Sequence, residues 1–109
     1  MDTSERSDAS SSLEFNEFVV MLREQIYHAE SSGDNRTVAE SYKSLAEYYL
    51  LAGKPEEAAP AFRQARDSYK HLGRPTLEGE CERGLKIAEG EIYKKTHPVR
   101  AFFKSLFAA

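Results

Sequence analysis

Apolar residues recur along this chain at helical spacing in four successive stretches separated by turn residues. The first is Phe15, Phe18, Val19, Leu22, Ile26 and Ala29, one stripe of a helix that ends near Ser31 to Gly33. Ahead of it, Ser11-x-x-Glu14 has the spacing of a capping box, in which the serine and glutamate side chains satisfy each other's free backbone N–H groups. The helix is expected to start there, leaving residues 1–12 as a polar, acidic, serine-rich disordered tail.

A second stripe, Tyr42, Leu45, Ala46 and Tyr49, falls at i, i+3, i+4 and i+7 and predicts a helix over about residues 35–52. Gly53 supplies its C-terminal stop. Pro55 then restarts the chain at a position whose N–H has no helical partner, and Glu56 and Glu57 complement the positive helix end. Ala58, Phe62 and Ala65 continue as one face of a third helix, about 55–72, running on through Tyr69 and Leu72 to Gly73. Pro60 is discordant, because inside a helix proline removes a hydrogen bond and crowds the preceding turn, so a kink or a late helix start is expected. A fourth helix, about 75–95, places Leu77, Cys81, Leu85, Ala88 and Ile92 on one face, with Cys81 in the core. The pattern as a whole predicts an all-α chain of antiparallel helical hairpins.

Tyr42, Leu45-Ala46, Tyr49, Gly53, Ala58, Phe62 and Ala65 stand in the order of the tetratricopeptide repeat, which this stretch resembles. The resemblance covers about one repeat. The turns at Gly33-Asp34 and Gly73-Arg74 lie forty positions apart, longer than the usual period of about 34 residues, as in the long-helix variants that include SNAP-type vesicle-fusion adaptors. It implies a right-handed array of about four helices, residues 13–97, with a short C-terminal amphipathic helix. It also implies a groove on the first helix of the pair, lined by Glu40, Lys43, Ser44, Glu47, Leu50 and Leu51. Members that clamp a C-terminal carboxylate use basic residues and asparagines there. Lys43 fits that pattern, but Ser44 and Glu47 replace the asparagines, and an anionic Glu47 would repel a carboxylate.

Beyond Thr96-His97-Pro98, the residues Val99, Phe102, Phe103, Leu106 and Phe107 form one apolar face in a region made basic by Lys94, Lys95, Arg100 and Lys104. Such a segment packs back on its own domain, binds a protein partner or a second copy of the chain, or lies on a membrane surface, the last being the weakest reading for so short a stretch. The need for a contact is physical. Repeat modules bury their faces on neighbours, and about three are needed for independent stability. One hairpin with a helix on either side needs its terminal helices as caps, or another chain.

At 109 residues the chain is sized for one small domain. Its net charge of −3 is unevenly spread: residues 1–35 carry −6, residues 36–73 carry +1 and residues 74–109 carry +2. The acidic end can steer a partner. No basic patch interleaved with aromatics is present, which argues against nucleic acid. A single cysteine and the lack of a long apolar run point to a reducing, cytoplasmic setting.

Catalytic vocabulary is sparse. His28, His71 and His97 each fall near a predicted helix end, in no metal-ligand spacing, and no phosphate-cradling loop or nucleophile elbow occurs. No cofactor, metal or catalytic residue is therefore expected. The sequence reads as a non-enzymatic protein–protein interaction module, an adaptor or scaffold or a small subunit of a larger assembly that pairs with itself through its Phe-rich end. A peripheral membrane-traffic adaptor and a three-helix peptide-binding module are the alternatives.

Overall fold

The computed structural model describes residues 3–98, with side chains from Phe15 onward. Four helices follow one another: α1 (Thr3–Ser32), α2 (Asn35–Leu51), α3 (Pro55–His71) and α4 (Pro75–Thr96). The fold is all-α, as the periodicity predicts. The terminal stripe Val99, Phe102, Phe103, Leu106 and Phe107 lies outside the described residues.

Three identical turns set the architecture. Gly33, Gly53 and Gly73 recur every twenty residues, each at positive φ (74°, 73° and 69°), a conformation that costs glycine nothing. At each, the N–H of the residue after the glycine reaches back to a carbonyl near the helix end: Asp34 to Ala29 (2.8 Å), Lys54 to Tyr49 (2.9 Å) and Arg74 to Tyr69 (3.0 Å). The glycine N–H bonds one residue further on, to Glu30, Leu50 and Lys70. This is the Schellman arrangement, and it satisfies carbonyls that a helix end otherwise leaves unpaired. The residue after each glycine also caps the next helix, so every connection is short and each helix folds back on its predecessor. Asp34 does so with its side chain, accepting from the Thr37 N–H at 3.2 Å and the Thr37 hydroxyl at 2.6 Å.

Two boundaries differ from expectation. The backbone of α1 is helical from Thr3, ahead of the capping box at Ser11. No glycine or proline lies between Thr3 and Ser12, and once a helix is nucleated each further residue adds a hydrogen bond at little cost, so the expected tail continues the helix. In α3 the helix runs unbroken from Pro55 through Pro60 instead of starting late. Pro60 lies on the exposed side, where the Glu56 carbonyl it leaves without a helical donor is open to water.

The core is built on small residues. Ala39, Ala46, Ala58, Ala65, Cys81 and Ala88 are completely buried, and the larger Val19, Leu22, Ile26, Leu45, Tyr49, Phe62, Tyr69 and Leu85 pack around them. Alanine and glycine let backbones approach until Phe62 of α3 lies directly on Gly84 of α4. On the other side, Phe15 stacks on Tyr48 with centroids 4.8 Å apart, Phe18 meets the same ring at 4.4 Å, and Lys54 sits 5.0 Å over Phe15. These rings fasten α1 to the end of α2.

The order of contacts distinguishes an open array from a closed bundle. Each helix packs on the next, and α2 also reaches α4, but α1 touches neither α3 nor α4. A four-helix bundle brings its first and last helices together. Here they stand apart, and the outward face of α2 lies between them.

Candidate interaction groove

The burial pattern of α2 divides it into two sides. Val38, Ala39, Ser41, Leu45, Ala46 and Tyr49 face the core. On a helix of 3.6 residues per turn, Glu40, Lys43, Ser44, Glu47, Leu50 and Leu51 fall on the opposite side, an outward face bordered by α1 along one edge and α4 along the other. All six predicted groove positions thus share one face, but they play different parts.

Glu40 and Ser44 line a cleft of about 690 Å³ between α1 and α2, together with Met21, Glu24, Gln25 and His28 of α1 and Thr37 at the start of α2. Glu24, Asp34 and Glu40 line this cleft, and no lysine or arginine does. Asp34 is held below its ordinary carboxylate range by the Thr37 hydrogen bonds, so it is charged at neutral pH. Glu40 also accepts from Arg36 one turn back at 3.0 Å, an exposed pair that leaves its other oxygen to the cleft.

Lys43 and Glu47 are engaged on the α4 side. Lys43 Nζ lies 3.0 Å from Glu80 of α4 and 3.4 Å from Glu47. The hydrogen bond with Glu80 raises the lysine above its ordinary pKa. A lysine flanked by two carboxylates is neutralised as an anion receptor, and Lys43 instead joins α2 to α4. Leu50 borders a smaller pocket of about 230 Å³ with Pro55, Ile87 and Lys95. Leu51 is 88% exposed and Ile87 55% exposed, two large apolar side chains open to solvent.

The walls were not visible in the sequence. Met21, Gln25 and His28 occupy the register one place before the buried Leu22, Ile26 and Ala29, so their stripe flanks the core stripe and is readable only once α2 is known to lie beside it. Glu80 and Ile87 of α4 have the same relation to the buried Cys81 and Ala88, and Glu91 to the partly buried Ile92.

Other sequence candidates are placed as follows. Cys81 is fully buried, and desolvation pushes its thiol up to about 11. His28, His71 and His97 are exposed; His97 stacks on Tyr93 with centroids 4.4 Å apart. On the far side of α2, a cleft of about 340 Å³ between α1 and α3 is lined by Arg23, Tyr42, Tyr49, Glu57 and Gln64. No described helix is long and apolar enough to cross a membrane. No protein family, no curated protein and no solved structure matches this chain.

Proposed function

We propose that the chain is a non-enzymatic protein–protein interaction module, a tetratricopeptide-like adaptor or small subunit, that takes an amphipathic, basic helix on the outward face of α2. The observation that carries this reading is the outward face of α2, with a cleft against α1 that holds Glu24, Asp34 and Glu40 and no lysine or arginine, and with exposed apolar side chains at Leu51 and Ile87. A helix laid in a groove needs apolar anchors at one register and charge complementarity at the next. Glu24 and Asp34 in the cleft complement lysine and arginine, with Glu40 shared with Arg36, whereas Lys43 is already neutralised by Glu47 and Glu80. The regular turns every twenty residues and the lack of contact between α1 and α4 support a repeat-type scaffold over a closed bundle.

The test is titration of the full chain with a fluorescent, designed leucine–lysine amphipathic helix, compared with the Glu24→Lys/Glu40→Lys variant. The reading expects saturable, salt-sensitive binding that the charge reversal weakens at least about tenfold, or about 1.4 kcal/mol. Equal binding by both proteins contradicts it.

A further inference from the structure

Both end helices of the described array keep a face turned away from the core. α1 packs only on α2, and α4 packs on α3 and α2. Opposite the buried Val19, Leu22, Ile26 and Ala29, the outward face of α1 carries Glu17, Val20, Glu24, Tyr27 and Ser31. Val20 is 54% and Tyr27 68% exposed, on a surface that the end helix of a free-standing array keeps polar. Opposite the buried Cys81, Leu85 and Ala88, the outward face of α4 carries Gly79, Arg83, Lys86, Gly90 and Tyr93.

The two faces are complementary in charge and in shape. Glu17 and Glu24 are acidic, Arg83 and Lys86 are basic, and none of the four forms an ion pair among the described residues. Lys94, beside the same face of α4, is already paired with Glu91 and adds nothing to the match. Glu82 and Glu89 flank that face along one edge. Gly90 has no atom within 4 Å of where its Cβ would be, and at Gly79 the neighbour is Arg83 Nη1 at 3.7 Å, so a shallow hollow lies on either side of the two cations. Both stripes advance in steps of three and four residues over about 21 Å. Run antiparallel, as successive helices of the array are, they register throughout: Glu24 meets Lys86, Val20 meets Gly90, Tyr27 meets Arg83, Glu17 meets Tyr93 and Ser31 meets Gly79. Phe62 on Gly84 is the same device inside the molecule, a glycine of α4 receiving a large side chain from the next helix.

We propose that the outward face of α1 takes the outward face of α4 from a second copy of this chain, in a head-to-tail contact that continues the helical array from one molecule into the next. Glu24 pairs with Lys86, Val20 fills the hollow at Gly90, and the Tyr27 ring lies against the Arg83 guanidinium as a cation–π pair. Because the two faces differ, each molecule engages two neighbours, and the assembly closes into a ring or extends as a filament. The contact is separate from the groove on α2 and does not rest on it; of the residues it uses, only Glu24 also lines the cleft between α1 and α2.

The experiment is sedimentation velocity of the full chain across a range of concentrations, at low and at high salt. The average mass is expected to rise past that of a dimer with concentration and to fall as salt screens the charges. Two variants each disable one face at exposed positions, Val20→Gln/Tyr27→Gln on α1 and Arg83→Glu/Lys86→Glu on α4, with circular dichroism to confirm that both fold. Each alone should associate at least about tenfold more weakly than the parent. An equimolar mixture should form one-to-one pairs and nothing larger, through the α4 face of the first and the α1 face of the second. Gly90→Gln, which fills the hollow and favours the helix, should weaken association of the otherwise native chain as well. A parent that stays monomeric at every concentration, association that survives both double variants, or a mixture that does not pair overturns the proposal. A dimer lost to the α1 variant but kept by the α4 variant also overturns it, assigning the contact to two α1 faces. Val20, Tyr27, Arg83 and Lys86 do not line the cleft between α1 and α2, so each of these results leaves the groove reading standing.

Discussion

Phe62 and Gly84 meet face to face at the contact between α3 and α4. A Cβ at position 84 would lie 2.8 Å from Cδ1 of the Phe62 ring and closer still to Cε1 and Cζ. The ring is buried, so it can give way only by disturbing its packing. Gly90, on the same helix, has no atom within 4 Å of where its Cβ would be. One substitution therefore has opposite signs at two sites. Gly90→Ala should stabilise by about 0.5–1 kcal/mol through helix propensity. Gly84→Ala should destabilise by about 1–3 kcal/mol, because overpacking outweighs the same propensity gain. Urea denaturation of the two variants measures both.

The bond from Arg23 Nη2 to the Tyr49 hydroxyl, at 2.6 Å, ties α1 to α2 across the cleft bordered by α3. Tyr49 is buried, so Tyr49→Phe keeps the ring packing and removes only the hydroxyl. A cost of about 1 kcal/mol is expected, typical of a single hydrogen bond. A double-mutant cycle with Arg23→Ala should show coupling of similar size; additive effects would mean the two groups act separately.

Burial pushes the Cys81 thiol up to about 11, against an ordinary 9.0. In the native protein it should resist iodoacetamide at pH 8 and react only at the rate of unfolding. Because the folded pKa is the higher one, this group's stabilising effect is complete below pH 9 and is lost as pH rises toward 11. Thermal melts across that window should fall for the parent and less steeply for Cys81→Ala.

At the acid side, Asp34 and Glu56 are both held below their ordinary values of 3.8 and 4.5. The leading cause for Asp34 is its hydrogen bond from the Thr37 side chain, and for Glu56 it is the bond to its own backbone N–H at the start of α3. A depressed carboxylate pKa stabilises above the unfolded value, and the effect disappears as pH falls through the folded one. Melting temperatures should decline below about pH 4.5. Asp34→Ala should melt lower at pH 7 and lose part of that acid dependence.

Much of the helical framework was legible because local chemistry fixes it. Gly33, Gly53 and Gly73 stop helices by a backbone conformation that other residues resist, and Pro55 and Pro75 restart them. The stripes of α1 to α4 mark the buried faces, including Cys81. The start of α1 was misread because the capping box at Ser11 is a permissive signal, and nothing in Thr3–Ser12 forbids helix. Of the two expectations at Pro60, the late start does not occur, because the carbonyl that the proline leaves without a donor lies on the exposed side of α3. Glu40, Lys43, Ser44, Glu47, Leu50 and Leu51 were legible as one face of α2, but what borders that face was not. Spacing shows that Lys43 and Glu47 share a side with Ser44; it does not show that Glu80, far along the chain, lies 3.0 Å from Lys43. Walls are tertiary, and a helical period carries no information on which neighbour covers a given face.

The central claim is that the face of α2 between α1 and α4 is a docking groove for a basic amphipathic helix. Amide chemical-shift mapping of the full-length protein, titrated with the leucine–lysine helix, tests it most directly. The account predicts that shifts concentrate at Met21, Glu24, Glu40, Ser44, Glu47 and Leu51 and fade as salt is raised. Shifts centred on Arg23, Tyr42 and Gln64, on the opposite side of α2, or no shifts at all, would contradict it.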